Sequence, residues 1–183
     1  LKNFNQALAC YMEIQGHVTG VLDRGHTPIV LGGDHSIAIG SVPAAHRHVQ
    51  KLGGKLGVLW IDAHGDVNDP RTSQTGNLHG MPIAAMVGRD YPDAPDGVKD
   101  HQWKRLIDNA MQGCGMTDDQ FAWLGLRDVD LGEAKYIARS MPRSLPMSME
   151  TIDRNGLLSA FDRFTAWFKA SGCTHLWISF DVD

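Results

Sequence analysis

Cysteine and long apolar runs are scarce in this chain, and both absences narrow the class of protein. Its three cysteines lie far apart, without a spacing typical of a metal site: Cys10, Cys114 and Cys173. We expect small core residues in a reducing compartment, so the predicted location is cytoplasmic. No apolar run approaches the roughly 20 residues that span a bilayer, so we expect no membrane partner.

Positive charge is also limited, with 17 Lys and Arg against 21 Asp and Glu and a formal net charge of −4. Without a basic stripe, we expect no nucleic-acid partner. The 183 residues, 43% of them hydrophobic, suffice for one sizeable core. The chain begins at Leu1 within a helical pattern and stops at Asp183 on a strand-like run. We therefore expect a single domain over residues 1–183, incomplete at both ends, that folds poorly alone because its sheet edges are exposed.

Apolar spacing predicts helices and strands that alternate along the chain. The predicted helices cover residues 4–23, 37–50, 81–87, 132–140 and 151–170. The predicted strands cover residues 28–31, 56–61, 121–126, 145–149 and 175–180, with Pro146 favouring an edge position. Surface loops with a short helix are expected over residues 89–115. This alternation indicates a parallel sheet covered on both faces, with ligands bound at the C-terminal strand ends.

Three of these strands end in residue types that commonly bind metals. The motifs are Gly32-Gly33-Asp34-His35-Ser36, Asp62-Ala63-His64-Gly65-Asp66 and Asp181-Val182-Asp183. Side chains two apart in an extended chain point the same way, so the ligand residues within each motif can converge. A lone Asp or His at such a place is more often a helix cap or a structural residue, but the repetition at three strand ends favours a metal site.

The number of carboxylates indicates two metal ions rather than one. Clustered carboxylates raise one another's pKa unless cations neutralise them. Oxygen and imidazole ligands without sulfur suit Mn²⁺, while Zn²⁺, Fe²⁺ and Co²⁺ remain open. Two such ions can share a water and convert it to hydroxide near neutral pH, which predicts a dinuclear metal hydrolase.

The three motifs, in this order, resemble the signature motifs of the ureohydrolase family, which includes arginases and agmatinases. The resemblance extends from Pro28 to Asp183 and is greatest to the arginases. It implies a three-layer α/β/α arginase-like fold with a parallel sheet and two Mn²⁺ ions at the C-terminal strand ends. One ion would be held by His35, Asp62, Asp66 and Asp181. The other would be held by Asp62, His64, Asp181 and Asp183, so that Asp62 and Asp181 bridge.

The loop after the second motif resembles the arginase loop that binds the α-carboxylate of the amino acid. Its corresponding residues are Asn68, Thr75 and Asn77, which are neutral donors suited to a carboxylate. Agmatine has no such carboxylate. Thr75 stands where arginases often have serine and keeps the hydroxyl. The same residue types are also ordinary loop formers.

Three further residues gain roles from the resemblance. His79 corresponds to the histidine proposed to shuttle protons, a task suited to a group that titrates near neutral pH. Asp130 and Glu133 would lie near the substrate's α-amino group. Their charges would equally suit a helix N-terminus. By chemistry alone, the two-apart spacing of Asp128 and Asp130 also fits metal ligands.

The resemblance therefore implies an arginase that hydrolyses L-arginine to L-ornithine and urea by a metal-bridging hydroxide. His79 and Asp66 would act in catalysis, and the protein would be a homo-oligomer, a trimer or hexamer. One alternative is another ureohydrolase, acting on agmatine, a guanidino acid or formiminoglutamate. Others are a non-catalytic metal-binding homologue and a deacetylase-like hydrolase with one zinc.

Overall fold

A computed structural model describes residues 1–89, 97–113 and 115–182 of the chain. Two compact units are distinguished within it. The helical unit comprises Leu1–His48 and Asp66–Met116, and the sheet unit comprises Val49–Gly65 and Thr117–Asp183. The prediction of one domain over the whole chain stays a prediction. Among the described residues, no helix has the length and apolar character needed to cross a membrane.

Within the described residues, the sheet unit has four parallel strands: β1 (Leu56–Ile61), β2 (Phe121–Leu126), β3 (Leu145–Ser148) and β4 (His175–Phe180). Their order across the sheet is β3-β2-β1-β4. Strands β1 and β2 are apolar throughout and almost fully buried, which is typical of central parallel strands. β3 lies at an edge, as Pro146 predicts, since proline cannot donate a hydrogen bond to a neighbouring strand.

Three helices accompany these strands: α5 (Leu131–Ser140), α6 (Met149–Asn155) and α7 (Leu157–Ala170). Phe164 of α7 packs with Leu59, Leu124 and Met147 of the sheet in a buried cluster. The single predicted helix over residues 151–170 is instead two helices. Gly156 separates them because its φ of 83° lies outside the helical range, a conformation that glycine adopts readily.

The helical unit contains α1 (Phe4–Asp23), most of α2 (Ala38–Lys51), α3 (Pro82–Met86) and α4 (Gly97–Met111). Its core joins Phe4, Leu8 and Tyr11 of α1 to Trp103 and Leu106 of α4. The prediction of loops with only a short helix over residues 89–115 was wrong for α4, which has 15 residues. Most of α4 is polar, and its buried face consists of a few apolar residues, Trp103, Leu106, Ala110 and Met111, so the periodic signal in the sequence is weak. Residues 90–96 and 114 lie outside the described part.

Two predicted buried strands differ from the structure. Residues 28–31 form no strand, and Ile29 and Leu31 are 85% and 91% exposed. A strand requires a partner for its backbone hydrogen bonds, and no described strand pairs with this segment. β4 forms as predicted but is not buried, since it pairs with β1 at one edge and leaves Leu176, Ile178 and Phe180 exposed.

Candidate metal centre

The helical unit holds a buried histidine–carboxylate pair. His35 begins a single 3-10 turn, His35–Ile37, and its Nδ1 lies 3.2 Å from Oδ2 of Asp66. Asp66 has a left-handed backbone with φ 53°, whereas the sequence interpretation assumed a roughly extended chain past β1. The Ile83 amide donates to the Asp66 carbonyl at 3.0 Å and so helps to hold this conformation. Such strain in a residue other than glycine is typical of functional sites.

The sheet unit holds a second pair at the end of β1. Asp62 is buried and accepts hydrogen bonds from the Trp60 indole at 3.2 Å and from the His64 amide at 2.9 Å. The His64 ring lies beside the same carboxylate, with Nδ1 3.1 Å from Oδ1. Its Nε2 lies 3.7 Å from Oδ2 of the exposed Asp128.

Three of the predicted ligands are buried: His35 and Asp66 in the helical unit, and Asp62 in the sheet unit. Within the helical unit, His35 and Asp66 offer ligand atoms 3.2 Å apart. Imidazole nitrogen and carboxylate oxygen without sulfur suit Mn²⁺ and other divalent ions of similar preference. Burial of a carboxylate is costly without a cation beside it. The residues therefore fit a metal.

Asp181 takes the position that the sequence interpretation requires. The register pairs Ile61 of β1 with Phe180 of β4, so Asp62 and Asp181 directly follow neighbouring strands. The Asp181 amide donates to the Ile61 carbonyl at 2.9 Å, which extends the pairing to this residue. Asp181 thus lies at the same edge of the sheet as Asp62. Asp183, the other predicted ligand in this motif, lies outside the described residues.

The loop that carries the predicted carboxylate-binding residues has defined local contacts. The Asn68 amide donates to the Gly80 carbonyl at 3.0 Å, which closes the loop at its base. The Asn77 amide donates to Oγ1 of Thr75 at 3.2 Å, around Gly76 with φ 71°. Thr75 is exposed, and Asn68 and Asn77 are half-buried. All three lie on one loop of the helical unit.

A buried ion pair anchors the start of this loop, and the sequence interpretation missed it. The Arg89 Nε lies 2.7 Å from Oδ2 of Asp69, and its Nη1 donates to the Val67 carbonyl at 2.6 Å. Asp69 also accepts from the amides of Arg71 and Thr72 at 2.8 Å and 2.9 Å. The Asp69-Pro70 dipeptide signals a turn. Nothing in the local sequence signals the distant partner Arg89.

His79 has a charged partner that the sequence did not identify. Its Nδ1 lies 3.6 Å from Oδ2 of Asp34. Burial acts to raise the pKa of Asp34, but hydrogen bonds from Ser36 and the nearby His79 together hold that pKa below its ordinary value. Asp34 is therefore an anion beside the predicted proton-shuttling histidine. From the sequence, Asp34 is only a member of the first motif.

Asp130 and Glu133 form a capping box at the start of α5. Oδ1 of Asp130 accepts from the amides of Gly132 and Glu133 at 2.6 Å and 2.9 Å, and the Asp130 amide donates to Oε2 of Glu133 at 3.2 Å. These bonds satisfy backbone donors that a helix leaves unpaired. The helix-terminus role considered from the sequence is thus present. Contact with a substrate ammonium stays a prediction.

Comparisons with known proteins identify the family of this chain and its fold. The sequence model of the arginase family matches residues 2–183. An arginase of Staphylococcus aureus is 32% identical over 183 residues, which are all of this chain and 54% of that protein. An arginase of Bacillus subtilis is 34% identical over 183 residues, 55% of its length. The solved structure of arginase from Bacillus caldovelox has a TM-score of 0.83 and 32% identity, covering 99% of this chain and 54% of that one.

The parallel sheet flanked by helices defines an α/β protein. The chain belongs to the arginase family. The predicted three-layer α/β/α arginase-like fold is confirmed. The chain spans about half the length of the curated relatives that it matches.

Proposed function

We propose that the full-length protein carrying this chain is a manganese-dependent arginase that hydrolyses L-arginine to L-ornithine and urea. The observation that carries the proposal is the buried pair of His35 and Asp66, whose ligand atoms lie 3.2 Å apart. These residues occupy the positions that the family motifs assign to a metal. The relatives in the comparisons are named arginases.

Two metal ions are proposed, held by residues at the strand ends. The first would be held by His35, Asp62, Asp66 and Asp181, and the second by Asp62, His64, Asp181 and Asp183. Bound Mn²⁺ would lower the pKa of a water so that hydroxide is available as a nucleophile for the guanidinium carbon. The 3.1 Å approach of His64 to Asp62 is consistent with two ligands that serve one ion.

Recognition of the amino acid is assigned to two groups of polar side chains. Asn68, Thr75 and Asn77 supply neutral donors to the α-carboxylate. Asp130 and Glu133 supply negative charge to the α-ammonium, and their capping bonds fix both side chains before substrate binds. Preorganised donors and acceptors of this kind lower the cost of ordering the site.

His79 is proposed to deliver a proton to the departing ornithine amine, and Asp66 to accept a hydrogen bond from the attacking hydroxide. The ring of His79 is half exposed, so it can exchange protons with solvent. From the same family resemblance we propose a cytoplasmic homo-oligomer, either a trimer or a hexamer.

The experiment that tests this function compares metal-free and manganese-loaded full-length protein. We expect chelation to abolish urea release from L-arginine and added Mn²⁺ to restore it. An Asp181→Ala variant should lose bound manganese and turnover together. An Asp162→Ala variant, which changes an exposed aspartate of α7, serves as the control and should retain both. Near-normal activity of Asp181→Ala would refute the assignment.

A further inference from the structure

The contact between Asp34 and His79 joins two loops of the helical unit. Oδ2 of Asp34 lies 3.6 Å from Nδ1 of His79, and the two side chains are 59% and 48% exposed. An exposed ion pair alone contributes little, because water screens it and both side chains lose freedom on pairing. The contact can therefore orient the His79 ring only if the Asp34 carboxylate is itself held in place.

The other oxygen of Asp34 is held firmly. Oδ1 accepts a hydrogen bond from the Ser36 amide at 3.0 Å and another from the Ser36 hydroxyl at 2.5 Å. Asp34 thereby caps the 3-10 turn His35–Ile37. With one oxygen fixed by two donors, the carboxylate plane cannot rotate freely, and Oδ2 stays directed toward His79.

Ser36 is itself buried beside the core of the helical unit. It is 8% exposed and interacts with Tyr11, which is 3% exposed on α1. Burial raises the pKa of Tyr11 to about 12, so the phenol stays protonated. A chain of polar contacts thus runs from the buried face of α1 through Ser36 and Asp34 to His79.

We propose that Asp34 is a positioning residue for His79. The carboxylate, 3.6 Å from Nδ1, attracts the Nδ1–H of the ring and so favours one tautomer and one ring orientation, which leaves Nε2 to exchange protons in the reaction. The expected effect on kcat rests on the proposed function. The expected tautomer of His79 does not, because it is a property of the folded protein.

The competing role for Asp34 is to cap the turn that presents His35. Asparagine caps a helical turn about as well as aspartate, so Asp34→Asn preserves the cap and removes the charge. A matched control is Asp23→Asn. Asp23 makes a comparable exposed contact with His48 at 3.3 Å, also within the helical unit.

The first measurement uses activity of the manganese-loaded full-length protein. Outer-shell partners of active-site histidines typically contribute 10- to 100-fold. We expect Asp34→Asn to lower kcat about tenfold with KM and bound manganese nearly unchanged, and Asp23→Asn to change none of them. In a His79→Asn background, Asp34→Asn should cause no further loss, because the residue through which it acts is gone. An equal tenfold loss in both backgrounds would overturn the proposal.

The second measurement needs no turnover. Nitrogen-15 NMR of histidine-labelled full-length protein at about pH 8, where free imidazole is neutral, reports the tautomer of each ring. We expect the Nδ1–H form for His79 in the unsubstituted protein and in Asp23→Asn, with the Nε2–H form gaining in Asp34→Asn. The same tautomer in all three would overturn the proposal. The expected tautomer without urea release would instead contradict the proposed function and leave the positioning role supported.

Discussion

His35 and Asp66 come from different motifs, yet Nδ1 of His35 lies 3.2 Å from Oδ2 of Asp66. The contact requires the left-handed backbone of Asp66, with φ 53°, which departs from the line of β1. Asparagine and aspartate adopt this conformation more readily than other residues that have a side chain. The choice of aspartate thus serves both the backbone turn and the metal site.

Substitution of Asp66 should separate these two roles. Asp66→Asn keeps a residue that tolerates the left-handed backbone, so we expect the fold to persist while metal binding weakens. Metal ions contribute several kcal/mol to such hydrolyses, so turnover should fall by more than about a hundredfold. Asp66→Ala should in addition lower the free energy of unfolding by about 1 kcal/mol. Metal content and urea release check the first claim, and denaturant unfolding of the metal-free protein checks the second. Equal stability of the two variants would contradict the backbone role.

The buried pair of Asp69 and Arg89 should stabilise the protein and the loop that begins at Asn68. Arg89→Ala removes the cation beside a carboxylate that is almost fully buried, and we expect a loss of about 3 kcal/mol in the free energy of unfolding. The double variant Asp69→Asn/Arg89→Ala should recover part of this loss, because no buried charge remains. Urea-induced unfolding of the unsubstituted protein, Asp69→Asn, Arg89→Ala and the double variant measures the coupling. A double variant less stable than Arg89→Ala would contradict this account.

His46 should make stability depend on pH. Burial, with a smaller effect of the Arg47 charge, lowers the pKa of His46 from 6.5 to about 4. The unfolded chain binds a proton below about pH 6.5, whereas the folded protein does so only near pH 4. Stability should therefore fall as pH drops from 6.5 to 4, by about 3 kcal/mol in all.

The measurement is the free energy of unfolding at intervals from pH 7 to pH 4, for the unsubstituted protein and for His46→Gln. Glutamine does not titrate, so the free energy of unfolding should depend less steeply on pH in the variant. This holds even if the variant is less stable at pH 7. Aspartates and glutamates contribute the same background to both proteins. Identical slopes would show that His46 is not buried in its neutral form.

Asp130 has a capping role that can be separated from substrate recognition. Asp130→Asn should keep the cap of α5 and remove the negative charge. We expect unchanged thermal stability and a KM for L-arginine raised about tenfold, because the α-ammonium loses an anionic partner. Asp130→Ala should lose both the cap and the negative charge, and its free energy of unfolding should fall by about 1 kcal/mol. An unchanged KM in Asp130→Asn would leave Asp130 as a helix cap alone.

The sequence predicts best the features that depend on local pattern. The bounds of β1 and β2 follow from short apolar runs between turn signals, and α1 from apolar residues at helical spacing. The apolar run at residues 28–31 has the same appearance, yet it forms no strand, because a strand also needs a neighbour. Local pattern cannot show whether that neighbour is present.

In the candidate site, too, local sequence pattern predicts some features and not others. The motifs identify His35 and Asp66, whose ligand atoms lie 3.2 Å apart, and Asp62, which is buried after β1. The contacts of Asp69 with Arg89 and of Asp34 with His79 join residues far apart in the chain, where no periodicity links them. Such pairs depend on tertiary packing, so only a structure reveals them.

Urea release by the manganese-loaded full-length protein, from L-arginine and agmatine in parallel, tests the proposed function most directly. Strong release from L-arginine with little from agmatine is the predicted result, since Asn68, Thr75 and Asn77 would bind a carboxylate that agmatine lacks. A preference for agmatine, or no urea from either substrate, would contradict the proposed arginase activity and the assigned role of this loop.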